Sequence, residues 1–343
     1  MNEPRGRVEN GVIRVGGDAR QRYYDSRGYG RPLEGNEIAL APVEAAHLLY
    51  RGDLAVEGLD FPAFVRRVED PGFFVRYLVY ADLRERGFYL SPARAGWVAD
   101  PPDGTDFVVY ERGSGPWDDD RLYELRVVGE RESIPAALDA GALAVVDEES
   151  EVTYFEVEHP AIGGSSTDFS GSARADLLAD RAIVWNPPET LFAEAFYGQP
   201  LAGRGGDDGG PIQLSLIEAA HLVRRGALSI ADPVLDRGRA VEGERFDRRL
   251  AAYGALRERG VVPKTGFKFG ADFRVYADVA SVDDLGHSEY LVRVLPPGRV
   301  LSPRDLALDV RLAHGVRKRM VFALTSANDG TEPTWISVGR LTP

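Results

Sequence analysis

Three side-chain types able to move a proton or hold an anion crowd into one stretch of this chain. Tyr276 closes the run Asp272-Phe-Arg-Val-Tyr276, His287 follows after a short acidic gap, and Lys264 and Lys268 lie just upstream. An imidazole can give up a proton near neutrality. A fixed ammonium beside a developing oxyanion lowers the barrier to forming it. A phenol, with an ordinary pKa of about 10, serves as a base only with help from nearby cations. One further lysine, Lys318, stands in Val316-Arg-Lys-Arg-Met320, and lysine is scarce: three of 41 basic residues, the others being arginine. The three that remain are candidates for work that arginine cannot do.

The elements that must position these groups are legible as patterns. Helical spacing of Leu250, Tyr253 and Leu256 predicts a helix that stops at Gly260. An alternating apolar strand is expected over Phe269–Tyr276, then a turn at Asp283–Gly286 and a second strand from His287 to Val294. A helix over Pro303–Gly315 and closing strands at Met320–Thr325 and Thr334–Val338 complete the region. Gly203–Gly210 (GRGGDDGG) reads as an exposed loop, and Ala161–Asp176, rich in Gly and Ser, as a flexible linker.

At 343 residues with 44% apolar content, the chain can build two domains with sizeable cores. No run is long enough to cross a bilayer and the N-terminus carries no apolar signal segment, so a soluble cytoplasmic protein is expected. The absence of cysteine excludes disulfides, thiolate metal sites and cysteine nucleophiles. The net charge of −13 argues at first against nucleic acid. An acidic, lysine-poor, arginine-rich chain without cysteine looks like a protein of an extreme halophile, however. In concentrated salt the whole-molecule field is screened within a few ångströms, so net charge says little about partners.

The chain repeats itself. Glu44-Ala-Ala-His-Leu-Leu matches Glu218-Ala-Ala-His-Leu-Val, and Tyr29-Gly-Arg-Pro-Leu33 matches Tyr197-Gly-Gln-Pro-Leu201. Tyr80-Ala-Asp-Leu-Arg-Glu-Arg-Gly87 matches Tyr253-Gly-Ala-Leu-Arg-Glu-Arg-Gly260, and Asp106-Phe-Val-Val-Tyr110 matches Asp272-Phe-Arg-Val-Tyr276. The pairs occur in one order at nearly constant offset, far too long a period for a solenoid, so this is a duplicated domain. Gly52 and Gly226 stand where helix-terminating glycines belong. The divisions expected are 1–75 and 76–160 for the two parts of the first repeat, 161–177 for the linker, and 178–246 and 247–343 for the second.

The second repeat is polar where the first is bland. Tyr110 matches Tyr276, but Asp120 stands opposite His287, Ala140 opposite Lys318, and Ser91 and Ala95 opposite Lys264 and Lys268. A requirement of the fold should survive in both copies, whereas a catalytic requirement need survive in one. Single residues carry blander readings: a strand tyrosine is usually packing, and Lys318 at a helix–strand junction would ordinarily be a solvated charge. His47 and His221 recur in both copies on an apolar helix and belong to the core or its edge; His159 and His314 belong to the surface.

Taken together, Leu256-Arg-x-x-Gly260, Lys264-Thr-Gly-x-Lys-Phe-Gly-x-Asp-Phe-x-x-Tyr276, His287-Ser-x-x-Leu-Val292 and Val316-Arg-Lys318 resemble the signature of the archaeal tRNA-splicing endonucleases. The duplication with an eroded first copy is similar to that family's homodimeric form. The resemblance implies an α+β fold, each repeat a small N-terminal α/β subdomain plus a restriction-endonuclease-like C-terminal subdomain. It implies cofactor-free, metal-independent cleavage of precursor tRNA at a bulge–helix–bulge, with Tyr276 as base, His287 as acid and Lys318 steadying the transition state. Products would carry 2′,3′-cyclic phosphate and 5′-hydroxyl ends. It further implies that two groups sandwich a bulge base: Arg311 by spacing, and Trp335 or Arg340 as the second. Lys264 and Lys268 are expected to help Tyr276 or the RNA. An acidic turn of the first repeat, here Asp147, Glu148 and Glu149, would enter a basic pocket of the opposite subunit. Two readings compete. A metal-dependent nuclease would need a Glu-x-Lys element, yet Val262, Gly266 and Val316 stand two before the lysines. A non-catalytic RNA-binding subunit should have lost the trio, as the first copy has.

Overall fold

The computed structural model describes residues 4–101, 103–139, 141–202, 210–279, 282, 286–327 and 331–343. Both the Gly203–Gly210 loop, save its last residue, and most of the Asp283–Gly286 turn lie outside them. Among the described residues no helix is long and apolar enough to cross a membrane.

The fold is α+β, and a single ten-stranded sheet runs through both repeats. Its strands are β1 (Leu90–Pro92), β2 (Phe107–Tyr110), β3 (Arg121–Gly129), β4 (Gly141–Val146) and β5 (Val152–Glu158) from the first repeat. The second repeat gives β6 (Val262–Thr265), β7 (Phe273–Tyr276), β8 (Tyr290–Leu295), β9 (Arg319–Leu324) and β10 (Thr334–Leu341). The order is β6-β7-β8-β9-β10-β5-β4-β3-β2-β1, so the two halves meet at β5 and β10 as mirror sequences of strands. That seam is antiparallel, from Tyr154 opposite Leu341 to Glu158 opposite Ser337. Joining the halves removes what would otherwise be two open edges of unpaired backbone groups. A core shared by the repeats backs the seam: Leu143, Phe155 and Val157 pack with Met320, Phe322, Ile336 and Val338.

Each repeat has a pair of helices, α1 (Pro42–Tyr50) with α2 (Phe73–Glu85), then α3 (Leu216–Arg224) with α4 (Glu244–Glu258); α2 and α4 pack on the ten-stranded sheet, and α1 and α3 pack on those helices and on small N-terminal sheets. Gly52 and Gly226, just past α1 and α3, both take φ of +71°, which a side chain would resist. His47 and His221 are buried on these helices, as their recurrence predicted, and burial lowers both to about 4. A further helix, α5 (Pro303–Gly315), breaks the symmetry. It makes the crossover between parallel strands β8 and β9, capped by Ser302, whose hydroxyl accepts from the Asp305 N–H at 3.1 Å. Among the described residues the matching connection of the first repeat, between β3 and β4, carries only the short strand Ile134–Pro135, which pairs with Val300–Leu301.

Two strands start later than expected. The run expected as a strand from Phe269 forms a 3-10 turn over Phe267–Phe269, and β7 begins at Phe273. Likewise β8 begins at Tyr290, leaving His287 on irregular chain. The stretch 161–176, expected to be a flexible linker, is bonded along its length. Gly164 and Ser166 donate backbone N–H groups to Arg259 and Gly260 at 3.0 and 2.8 Å, and Ala173–Arg174 pairs with Leu228–Ser229. A Cβ at Gly164 would overlap the Ala277 carbonyl, so here glycine marks close approach rather than freedom. Asp168 accepts from the Tyr197 hydroxyl at 2.5 Å and pairs with Arg225. Composition could not reveal this, because small polar residues suit both a loose chain and one pressed flat against a surface.

Candidate active site

Ladder register brings the site together. Val275 on β7 stands opposite Tyr290 on β8, which stands opposite Arg319 on β9. One position beyond that row lie Tyr276, Glu289 and Lys318, at one end of three adjacent strands. The Lys318 ammonium donates to the Ser288 carbonyl at 2.6 Å, next in chain to His287. Glu289 ties the row: its carboxylate accepts from the Ala277 N–H at 2.7 Å, and its carbonyl from the Arg319 N–H at 3.0 Å. His287 is exposed. The ring of Tyr276 is buried against Phe196, Val262 and Val279.

Lys318 is held by the end of α5. Its N–H donates to the Ala313 carbonyl at 2.9 Å, and the preceding Arg317 takes φ of +57°, a left-handed conformation costing about 1–2 kcal/mol outside glycine. Burial, then the Arg274 guanidinium, lowers the Lys318 pKa from its ordinary value, and Glu289 acts against them. A partly desolvated ammonium with few fixed partners is suited to an incoming anion.

Other predicted site residues fare differently. Arg311 is exposed on α5, and Arg340 is exposed on β10 opposite Phe155. Carrying the β9–β10 register on from Met320 opposite Val338 sets Arg340 beside Lys318. Trp335 is a correction: it is 6% exposed, and the Arg259 guanidinium covers its ring at 5.1 Å. Stacking on a base would require β10 to open. Lys264 is another. Its ammonium is buried and donates to the Glu218 carboxylate at 2.7 Å and to the Phe196 and Gly198 carbonyls at 3.2 and 3.0 Å. Strand pairing sets it on the same face as Arg274 and Tyr276, but Glu218 of α3 and the two carbonyls hold its ammonium. Lys268 is exposed on the 3-10 turn.

The ladder also corrects the internal alignment by one residue. Ala142 pairs with Leu125, and Val321 with Val292, the counterpart of Leu125. Lys318 therefore corresponds to Asp139, not Ala140, which lies outside the described residues. Two residues of the site escaped sequence reasoning. Glu289 carried no signal. Arg274 did: it is the mismatch inside Phe-Arg-Val-Tyr276 against Phe-Val-Val-Tyr110.

The acidic turn is preorganised. Asp147 accepts from the Glu149 and Glu151 N–H groups, both at 2.9 Å, while Glu148 pairs with Arg131. Elsewhere a cavity of about 540 Å³ is lined by Arg245, Arg248, Arg293, Arg299 and the exposed Phe267. Three of these arginines already hold carboxylates, Arg245 on Asp272, Arg248 on Glu244 and Arg293 on Asp309.

Sequence comparison accords with this architecture. A family described as the tRNA intron endonuclease catalytic C-terminal domain matches residues 246–333. The tRNA intron endonuclease N-terminal domain matches twice, at 5–65 and 173–237. The chain is 58% identical to a tRNA-splicing endonuclease of Natronomonas pharaonis and 56% identical to one of Haloarcula marismortui, covering 98% of this chain and 99% of each relative. It is 36% identical to one of Methanococcoides burtonii, covering 93% and 94%.

Proposed function

The chain belongs to the tRNA intron endonuclease family, and from that premise we propose that it cuts precursor tRNA at the intron boundaries of a bulge–helix–bulge. Tyr276 takes the proton of the 2′-hydroxyl, and the 2′-oxygen attacks the adjacent phosphorus. The bond from phosphorus to the 5′-oxygen breaks, and His287 returns a proton to that oxygen. Lys318 faces the charge that builds on the phosphoryl oxygens. Products carry a 2′,3′-cyclic phosphate and a 5′-hydroxyl. The observation that carries this reading is the register that lines Tyr276, Glu289 and Lys318 across three strands, with the Lys318 ammonium on the carbonyl next to His287.

Arg311 and Arg340 are the pair that holds a bulge base between guanidinium planes; both are exposed at the Lys318 end of the fold. Two chains associate through the turn at Asp147, Glu148 and Glu149, and the arginine-lined cavity is the surface of matching charge. Reversing the three carboxylates to lysine yields monomers by light scattering; a persistent dimer removes this contact.

The deciding experiment is cleavage of a synthetic bulge–helix–bulge RNA in concentrated salt with excess chelator, followed by end-group analysis. Cyclic phosphate and 5′-hydroxyl ends are expected. A requirement for added divalent ion, or 5′-phosphate ends, overturns the reading in favour of the metal-dependent nuclease.

A further inference from the structure

Arg274 stands two residues before Tyr276 on β7, so strand alternation puts both side chains on one face. Its guanidinium carbon lies 5.7 Å from the centre of the Tyr276 ring. The side chain is half-buried, and its Nε is fully buried with no hydrogen-bond partner. Among the described residues no carboxylate lies within ion-pair distance of it. A partly desolvated charge without a counter-charge is costly unless something outside the chain supplies one. Its charge also reaches Lys318. In the first repeat the same position is Val108, beside Tyr110, whose hydroxyl donates to the Ser91 hydroxyl at 3.1 Å. The cation is thus present only in the repeat that carries His287 and Lys318.

Resting on the cleavage reading above, we propose that Arg274 is a further catalytic residue, holding a non-bridging oxygen of the scissile phosphate beside Lys318. In the step concerned, the bond from the 2′-oxygen to phosphorus forms and that from phosphorus to the 5′-oxygen breaks. The 2′-hydroxyl proton goes to the base, and the 5′-oxygen receives one from His287. Arg274 and Lys318 exchange nothing; they share the negative charge gathering on the non-bridging oxygens. A guanidinium fits this task because it stays charged and presents paired N–H donors in a plane. Half-burial keeps the interaction from being screened away in concentrated salt.

The test is single-turnover cleavage by Arg274→Met and Arg274→Lys, in salt with chelator. The substrates carry oxygen or a single sulfur at either non-bridging position of the scissile phosphate. Arg274→Met is expected to cleave about 100-fold more slowly while binding the RNA nearly as well, and Arg274→Lys to recover part of the rate. The parent should discriminate between the two sulfur diastereomers, and both variants should discriminate less. A rate for Arg274→Met within about threefold of the parent overturns the proposal, as does a slower rate with the parent's diastereomer preference intact. If Arg274→Met does not fold, Arg274→Lys decides by the same preference. His287→Ala run alongside separates two failures. If it is inert while Arg274→Met is fully active, only the Arg274 assignment falls. If His287→Ala cleaves like the parent, the cleavage reading falls and takes this one with it.

Discussion

The two repeats share a plan and differ at the end of the sheet where chemistry would occur. In the second, Tyr276, Glu289 and Lys318 share a row across three strands, Arg274 lies near the Tyr276 ring, His287 is exposed in the chain next to Ser288, and α5 delivers Lys318. In the first, Tyr110 is turned onto Ser91, and residues 111–120 fold back, the Glu111 N–H donating to the Asp120 carbonyl at 2.9 Å. Trp117 packs edge-on against Tyr24 and Tyr89 there. Among the described residues no helix matches α5, and Asp139 stands where Lys318 would. The first repeat therefore did not simply lose three residues. Its connections closed over the place, while its strands were kept for the seam.

Buried carboxylates draw the same contrast. Glu44 accepts from the Gly30 and Ala41 N–H groups at 2.6 and 2.7 Å and from the Trp97 indole at 2.8 Å. Glu218 accepts from the Gly198 and Ser215 N–H groups at 3.0 and 2.9 Å, with the Lys264 ammonium in place of the indole. Burial raises Glu44 to about 7. Burial pushes Glu218 the same way, but the Lys264 ammonium with the Ser215 and Gly198 N–H groups outweighs it and holds the group at about 2.

The largest way to break the comparison is at the acid. His287→Ala should lower single-turnover cleavage by about 10²–10⁴-fold, while Asp120→Ala in the first repeat leaves it within twofold or so. Comparable losses at both positions would mean that the first repeat is not inert.

Next comes the lysine. Lys264→Met leaves Glu218 buried and unpaired, a loss of about 3–5 kcal/mol, whereas Trp97→Phe removes one of three donors and costs about 1–3 kcal/mol. Melting curves measure both. Cleavage by Lys264→Met below its melting temperature should stay close to the parent's. A cleavage defect at unchanged stability would return Lys264 to the RNA.

The smallest effect is in pH. A carboxylate raised from 4.5 to about 7 on folding binds its proton more tightly in the folded state. Glu44 therefore costs stability as pH rises across that window, roughly 3 kcal/mol in all. Glu218, lowered to about 2, contributes fully above its unfolded value of 4.5 and loses that contribution only as pH falls toward 2. Glu44→Gln should thus become more favourable relative to the parent between pH 5 and pH 8, while the penalty of Glu218→Gln stays constant. Parallel behaviour of the two variants would show that the carboxylates are not wired differently.

The sequence by itself determined the duplication, the buried histidines, the helix ends at Gly52 and Gly226, and the candidates Tyr276, His287 and Lys318. These rest on residue identity and local spacing, which the chain carries openly, and the internal copy served as a control. Only the tertiary structure decided which way each side chain faces. Lys264 and Trp335 have the residue types for RNA contact, but Glu218 of α3 holds the one and Arg259 covers the other. Arg274 was a visible mismatch with no stated use until β7, β8 and β9 were in register. The seam of β5 and β10, the Asp139 alignment and the tethering of 161–176 depend on contacts between residues far apart in sequence. A pattern read along one chain does not contain them, because register is set by the partner strand.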